Sequence, residues 1–129
     1  MNNNTSIEQS KKLLELGLKP ETADMGIVIF ADNTTRILPI DDWDLQKNGE
    51  DGTTFVPCWS VGQLLKQIPK EILKDGRKHY IHIVGFADNW CVCHDNEFSH
   101  KNIGVQITGC LLIDTVIEYI CWLMENKFM

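Results

Sequence analysis

The stretch from Cys110 to Met124 limits the fold more than any other part of the chain. Wound as a helix, it places Asp114, Glu118 and Glu125 on one narrow strip, with Cys121 or Trp122 between them. Leu111, Leu112, Ile113, Val116, Ile117, Ile120, Leu123 and Met124 wrap most of the remaining cylinder. The spacing predicts a helix from about Thr108 to Asn126. A surface helix of a small domain needs only one apolar stripe. This one is therefore expected to be the central spine of the fold or part of a homodimer interface. Its length and its carboxylates do not suit a membrane span.

A chain of 129 residues, 43% apolar and 23% charged, fits one globular domain spanning 1–129. Only residues 1–4 read as a disordered tail. The formal charge of −6 opposes phosphate backbones, so nucleic acid is not the expected partner. A local basic run, Lys70, Lys74, Arg77, Lys78 and His79, is interrupted by Glu71 and Asp75 and reads as a solvated helix end. The N-terminus has no charged n-region followed by an apolar h-region. Five cysteines, an odd number without a secretory signal, read as reduced thiols, and a cytoplasmic location is expected.

The element pattern is α+β. Thr5-Ser6-Ile7-Glu8 matches a capping box with Thr5 as N-cap, opening a helix that Gly17 ends. The segments 26–30 and 35–40 are expected to form a hairpin around Asp32-Asn33. Asp41 to Gly52 is polar and reads as a long loop. Ser60-Val61-Gly62-Gln63 is a second capping box, opening a central helix near 60–73, with Pro69 stopping it or starting a further turn over 70–74. After a turn at Asp75-Gly76, His79 to Phe86 is the best strand, and Trp90 to His94 its partner across Ala87-Asp88-Asn89. A small, mainly antiparallel sheet with hairpins near 26–40 and 79–94, packed by three helices, is the expected architecture. Ile103 to Ile107 is read as a short strand or as the approach to the last helix.

Chemistry-bearing residues concentrate at Trp90-Cys91-Val92-Cys93-His94. Thiolates and imidazoles are the natural ligands of zinc, but C-x-C departs from the usual C-x₂₋₄-C spacing. On a strand Cys91 and Cys93 share one face and His94 takes the other. The reading adopted is that the cysteines are small core hydrophobes. The alternative is a zinc-stabilised fold using Cys91, Cys93 and His82, with Cys58 as a further candidate ligand. Cys58 precedes a helix whose N-terminal dipole is able to lower a thiol pKa, the starting point for a nucleophile if a histidine is brought within reach. Asp41, Asp42, Asp44, Glu50 and Asp51 read as a solvated acidic loop rather than a cation site, since the EF-hand pattern is absent. No phosphate-loop, dinucleotide, nucleophile-elbow or H-E-x-x-H motif occurs. Trp59 and Trp122 are expected in the core. Trp43 and Trp90 adjoin polar loops and are candidate recognition residues.

Two segments carry a resemblance. One is Gln9-Ser10-Lys11-Lys12-Leu13-Leu14-Glu15-Leu16-Gly17-Leu18 followed by Glu21-Thr22-Ala23-Asp24-Met25. The other is Cys58-Trp59-Ser60-Val61-Gly62-Gln63-Leu64-Leu65 followed by Ile68-Pro69. With the apolar C-terminal helix, they resemble small uncharacterised proteins encoded by phages and integrated mobile elements of gut Bacteroidales. In the usual pattern alanine precedes the Trp-Ser pair, and Cys58 stands there in this chain, which argues against a family-wide nucleophile. The resemblance brings no activity; it implies a cytoplasmic accessory protein of a mobile element.

The expected function is accordingly a non-enzymatic binding protein with a protein partner of host or phage, and with no cofactor. Ligand or partner contacts are expected from Trp43, Asp88, Asn89, Trp90, His94 and Asp95. The alternative is a small ligand- or nucleotide-binding domain, or an enzyme, with its site near Asp88, Asn89 and His94.

Overall fold

The computed structural model describes residues 3–39, 52–96, 98–99 and 101–129. The acidic loop with Trp43, Asp41, Asp42, Asp44, Glu50 and Asp51 lies outside them, as does His100. The chain divides into two compact units, Met1–Gln63 and Leu64–Met129.

In the first unit, helix α1 (Ile7–Leu16) is followed by a short 3₁₀ turn, Pro20–Thr22, and strands β1 (Met25–Ile29), β2 (Thr35–Pro39) and β3 (Thr54–Cys58). The strands form an antiparallel sheet in the order β2-β1-β3. Pro57 is tolerated because β3 is an edge strand, where a missing N–H costs no ladder bond on the open side. Ile27, Val56 and Cys58 are buried together, with Ile7, Met25 and Ile29 against them. Gly26 is required by close approach: a Cβ there would fall inside the Phe55 ring.

The start of α1 differs by one residue from the sequence expectation. Ser6 is the N-cap, and it exchanges capping-box bonds with Gln9 rather than with Glu8. Thr5 is engaged elsewhere. Its hydroxyl lies 2.7 Å from that of Ser10 and accepts the Trp59 backbone N–H at 3.0 Å. The chain is pinned from Asn3 onward, whose carbonyl accepts the Val61 N–H, and Asn4 bridges to Ser60. Gly17 ends the helix at φ 109°, as the pattern requires.

A central helix, α2 (Val61–Gln67), crosses the boundary between the units in sequence. It is shorter than the expected span of 60–73. Residues Glu71–Lys74 form a strand, β4, instead of a helical turn.

The second unit is a meander. Strands β4, β5 (Arg77–Phe86), β6 (Asn89–Asn96) and β7 (Ile107–Gly109) lie in that order, antiparallel throughout. Asp75 and Gly76, at φ 54° and 74°, make the two-residue connection from β4 to β5, the paired left-handed conformations of a type I′ turn. Ala87 and Asp88 connect β5 to β6, with Phe86 opposite Asn89. After β6, the Asn96 N–H donates to the Lys101 carbonyl and the Ile103 N–H to that of His94.

Helix α3 (Leu112–Glu125) packs over β6 and β7. It starts later than Thr108 because Ile107–Gly109 is taken up by β7. Ile113, Val116, Ile117, Tyr119, Ile120 and Leu123 are buried, while Asp114, Glu118 and Glu125 form an exposed strip. The α+β class, the two hairpins and the three helices are therefore those the sequence indicates, with the strands divided between two small sheets. Among the described residues no helix is long and apolar enough to cross a membrane.

Candidate functional site

The residues expected to form a site are distributed over three environments. Asp88 and Asn89 lie at the exposed tip of the β5–β6 hairpin. Beside them Trp90 is 36% exposed, its ring over Gly85, where a Cβ would come within 3.1 Å of it. His94 is five residues beyond Asn89 along β6, about 16 Å at strand rise, and is fully buried. Asp95 takes the opposite face, as strand alternation demands. The proposed grouping of Asp88, Asn89 and His94 is therefore not assembled. Trp43 lies outside the described residues.

His94 is held by structure. Its Nε2 is 2.6 Å from the Pro69 carbonyl, which accepts only, so Nε2 carries the proton. Nδ1 is then the acceptor for the Tyr119 hydroxyl at 2.5 Å. The ring begins a stacked series, His94–Tyr119–Trp122–Phe128, with centroids 5.5, 6.1 and 5.6 Å apart. Burial first, and the neighbouring His79 and His82 next, hold the imidazole below the usual histidine pKa, against the opposing pull of the Pro69 carbonyl and Asp95.

The zinc alternative has part of its geometry. Cys91, Cys93 and His82 share one face of the sheet, and His82 is the register partner of Cys93. Cys93, however, donates to Asp95 at 3.3 Å, and Cys91 accepts from the Gln106 amide at 2.8 Å. Among the described residues no group of three or more His, Cys, Asp or Glu side chains is arranged to hold a metal ion. Burial, then Asp95, pushes the Cys93 thiol up to about 12. Cys58 is equally far from a nucleophile: burial, then Asp24, pushes it up to about 12, the opposite of the dipole effect anticipated from its place before α2.

In the first unit Trp59 is fully buried, and its indole N–H donates to the Thr22 hydroxyl at 3.0 Å. Asp24 accepts both the Ser60 N–H, at 2.8 Å, and the Ser60 hydroxyl, at 2.5 Å. The Ser60 oxygen in turn caps the Gln63 N–H at 3.2 Å. These groups fix the entry to α2. Sequence showed the cap at Ser60 but not the carboxylate behind it.

Two clefts of the second unit lie beside the β4–β5 turn and the end of β6. One cleft, about 520 Å³, is bordered by Arg77, Lys78, Tyr80, Asn96 and Phe98. A second, about 360 Å³, shares Arg77 and Asn96 and adds Lys74, Asp75, His79, Ser99 and Lys101. The basic run that the sequence placed on a helix end is thus carried on a hairpin, and Lys101 joins it from the returning loop. Lys78 is partly offset by Glu71 at 3.6 Å. Lys74 donates to the Ile103 carbonyl at 2.6 Å, leaving two ammonium protons. Among the described residues Lys74, Arg77 and Lys101 have no carboxylate partner within ion-pair distance. Asp75 is the single carboxylate bordering either cleft among them.

Asn96 shapes the loop. Its buried side-chain oxygen accepts the N–H groups of Phe98 and Ser99, at 2.9 and 3.1 Å, and the Ser99 hydroxyl at 3.2 Å. This turn presents the Phe98 ring, 91% exposed, at the mouth of the first cleft. Sequence reasoning missed Phe98 and Lys101. The available signal was an aromatic and a lysine in a polar loop near a basic run.

Comparison with protein-family models, with curated proteins and with solved structures gives no match to this chain.

Proposed function

We propose that this protein is a non-catalytic binding domain that takes an anionic partner in the cationic cleft of its second unit, bordered by Lys74, Arg77 and Lys101. The observation that carries this reading is the convergence of Lys74, Arg77 and Lys101 on one concave surface of a chain whose net charge is −6. A local positive field inside an acidic molecule concentrates anions where the cations sit and repels them elsewhere. The groups with chemistry do not support catalysis. His94 is enclosed with both nitrogens bonded, and the Cys58 and Cys93 thiols are held protonated by burial.

An accessory role in a phage or integrated element is consistent with the resemblance of the 9–25 and 58–69 segments. Homodimerisation through α3 is not part of the proposal. The exposed strip of that helix is Asp114, Glu118 and Glu125, and two copies would bring like charges together.

Thermal unfolding of the wild type with a panel of anions, at low and at moderate salt, tests the reading. Inorganic phosphate, adenosine monophosphate, polyglutamate and single-stranded DNA form the panel. At least one is expected to raise Tm at low salt, with the rise reduced by added salt. Arg77→Glu combined with Lys101→Glu is expected to abolish the rise. No response to any anion would overturn the proposal.

A further inference from the structure

The hairpin side of the cationic cleft is assembled on one face of the sheet. Lys74 and Arg77 are register partners across the β4–β5 turn, His79 follows Arg77 by two residues, and Asn96 is the register partner of His79. Strand alternation therefore puts all four on the same side. Lys101, Asn102 and Ile103 supply the rest of the border. The bond from Lys74 Nζ to the Ile103 carbonyl, at 2.6 Å, draws that ammonium toward the segment that carries Lys101 and Asn102.

Two kinds of polar group share this border, and together they narrow the ligand. Lys74, Arg77 and Lys101 only donate, and they call for a compact anion. Asp75, exposed in the turn, only accepts, and among the described residues it has no hydrogen bond or ion pair. The Asn102 side-chain oxygen takes the Gly104 N–H at 3.0 Å, which leaves its NH₂ group to donate. A bare anion meets only repulsion at Asp75. A hydroxyl answers both groups, because it donates to a carboxylate and accepts from an amide. Three cations against one carboxylate suit a doubly charged anion such as a phosphate monoester. The space, about 360 Å³, is in the range that encloses small ligands and exceeds what a bare phosphate fills. No Phe, Tyr or Trp borders it among the described residues, and the His79 imidazole is buried, so a nucleobase finds no stacking platform. We propose that the cationic cleft binds the phosphate monoester of a small polyol, a sugar phosphate, with the phosphate between Lys74, Arg77 and Lys101 and hydroxyls on Asp75 and Asn102. This rests on the anion-binding reading above and specifies its ligand.

Isothermal titration at low salt tests the assignment. The probes are ribose 5-phosphate, ribose, inorganic phosphate and adenosine monophosphate. Ribose 5-phosphate is expected to bind about tenfold more tightly than phosphate, ribose not measurably, and adenosine monophosphate no more tightly than ribose 5-phosphate. Lys101→Ala should weaken both phosphate-bearing ligands by a similar factor. Asp75→Gly is the decisive variant. Glycine adopts the left-handed turn conformation freely, so the hairpin is kept. Loss of the carboxylate removes a repulsion common to both ligands and a hydroxyl contact made by only one. Phosphate should therefore bind as tightly as before or more so, while the preference for ribose 5-phosphate falls to about threefold or less.

Phosphate binding as tightly as ribose 5-phosphate, or a preference undiminished in Asp75→Gly, overturns the hydroxyl assignment and leaves the anion-binding reading standing. Adenosine monophosphate binding about tenfold more tightly than ribose 5-phosphate overturns it in favour of a site that reads the base. A response to polyglutamate or single-stranded DNA alone also overturns it while the anion-binding reading stands. Ribose binding as tightly as its phosphate, or failure of every anion, removes both readings.

Discussion

The Nδ1 atom of His94 lies 2.5 Å from the hydroxyl of Tyr119, inside the second unit and shielded from water. With Nε2 donating to the Pro69 carbonyl, this fixes one tautomer of a neutral ring and joins β6 to α3 by a polar contact. Buried polar groups persist where every lone pair and proton is matched, and here both ring nitrogens are.

Acid should therefore weaken the fold. Burial lowers the His94 pKa in the folded state below the ordinary histidine value, so the unfolded chain binds the proton more readily. Stability contributed by the neutral ring is fully present above about pH 6.5 and is lost as pH falls through the depressed folded-state value. Urea midpoints should decline over that interval. Long-range ¹H–¹⁵N spectra should show the neutral ring as the Nε2-protonated tautomer, titrating below the ordinary histidine value. A His94 midpoint at the ordinary histidine value would contradict the enclosure described.

Removing the hydroxyl tests the same contact without protons. Tyr119→Phe leaves Nδ1 buried with no donor, which should cost about 1–3 kcal/mol. Chemical denaturation should show a lower midpoint with an unchanged slope. Full retention of stability would mean that another donor reaches the ring.

Asp24 should matter although no helix contains it. Its carboxylate accepts two bonds from Ser60, the residue that caps α2. Asp24→Ala should destabilise by about 1–3 kcal/mol, and Ser60→Ala by a similar amount. The double variant should cost less than the sum, because both substitutions break the same relay. Strict additivity would separate the two roles.

Thiol chemistry should divide the cysteines by exposure. Cys110 is exposed, whereas Cys58, Cys91 and Cys93 are buried. At pH 8 an aromatic disulfide reagent should modify Cys110 rapidly and Cys58 and Cys93 only after denaturation, since burial keeps their thiols protonated. Rapid modification of native Cys58 would revive its candidacy as a nucleophile.

Local rules made much of the fold legible. The left-handed cap at Gly17, the cap at Ser60, the Asp75-Gly76 turn and the strand ending at Phe86 all follow from residue type and spacing. What stayed hidden depended on distant partners. Thr5 matches a cap pattern, but the Trp59 backbone claims its hydroxyl across 54 residues, so the cap moves to Ser6. Glu71–Lys74 has no strand signature of its own and is a strand because β5 lies beside it. That single misplacement made a basic hairpin look like a helix end and concealed the cleft. The expected site residues lie apart for a plainer reason. Residues adjacent in sequence alternate faces along a strand, so His94 and Asp95 were bound to separate.

Mapping the bound anion onto the chain tests the central claim most directly. Amide shifts in a ¹H–¹⁵N spectrum, followed while each anion of the panel is added at low salt, report where contact occurs. The account predicts saturable changes concentrated at Lys74–Tyr80 and at Phe98, Ser99 and Lys101–Ile103. Shifts centred on the hairpin tip from Val84 to Trp90, or none with any anion of the panel, would contradict it.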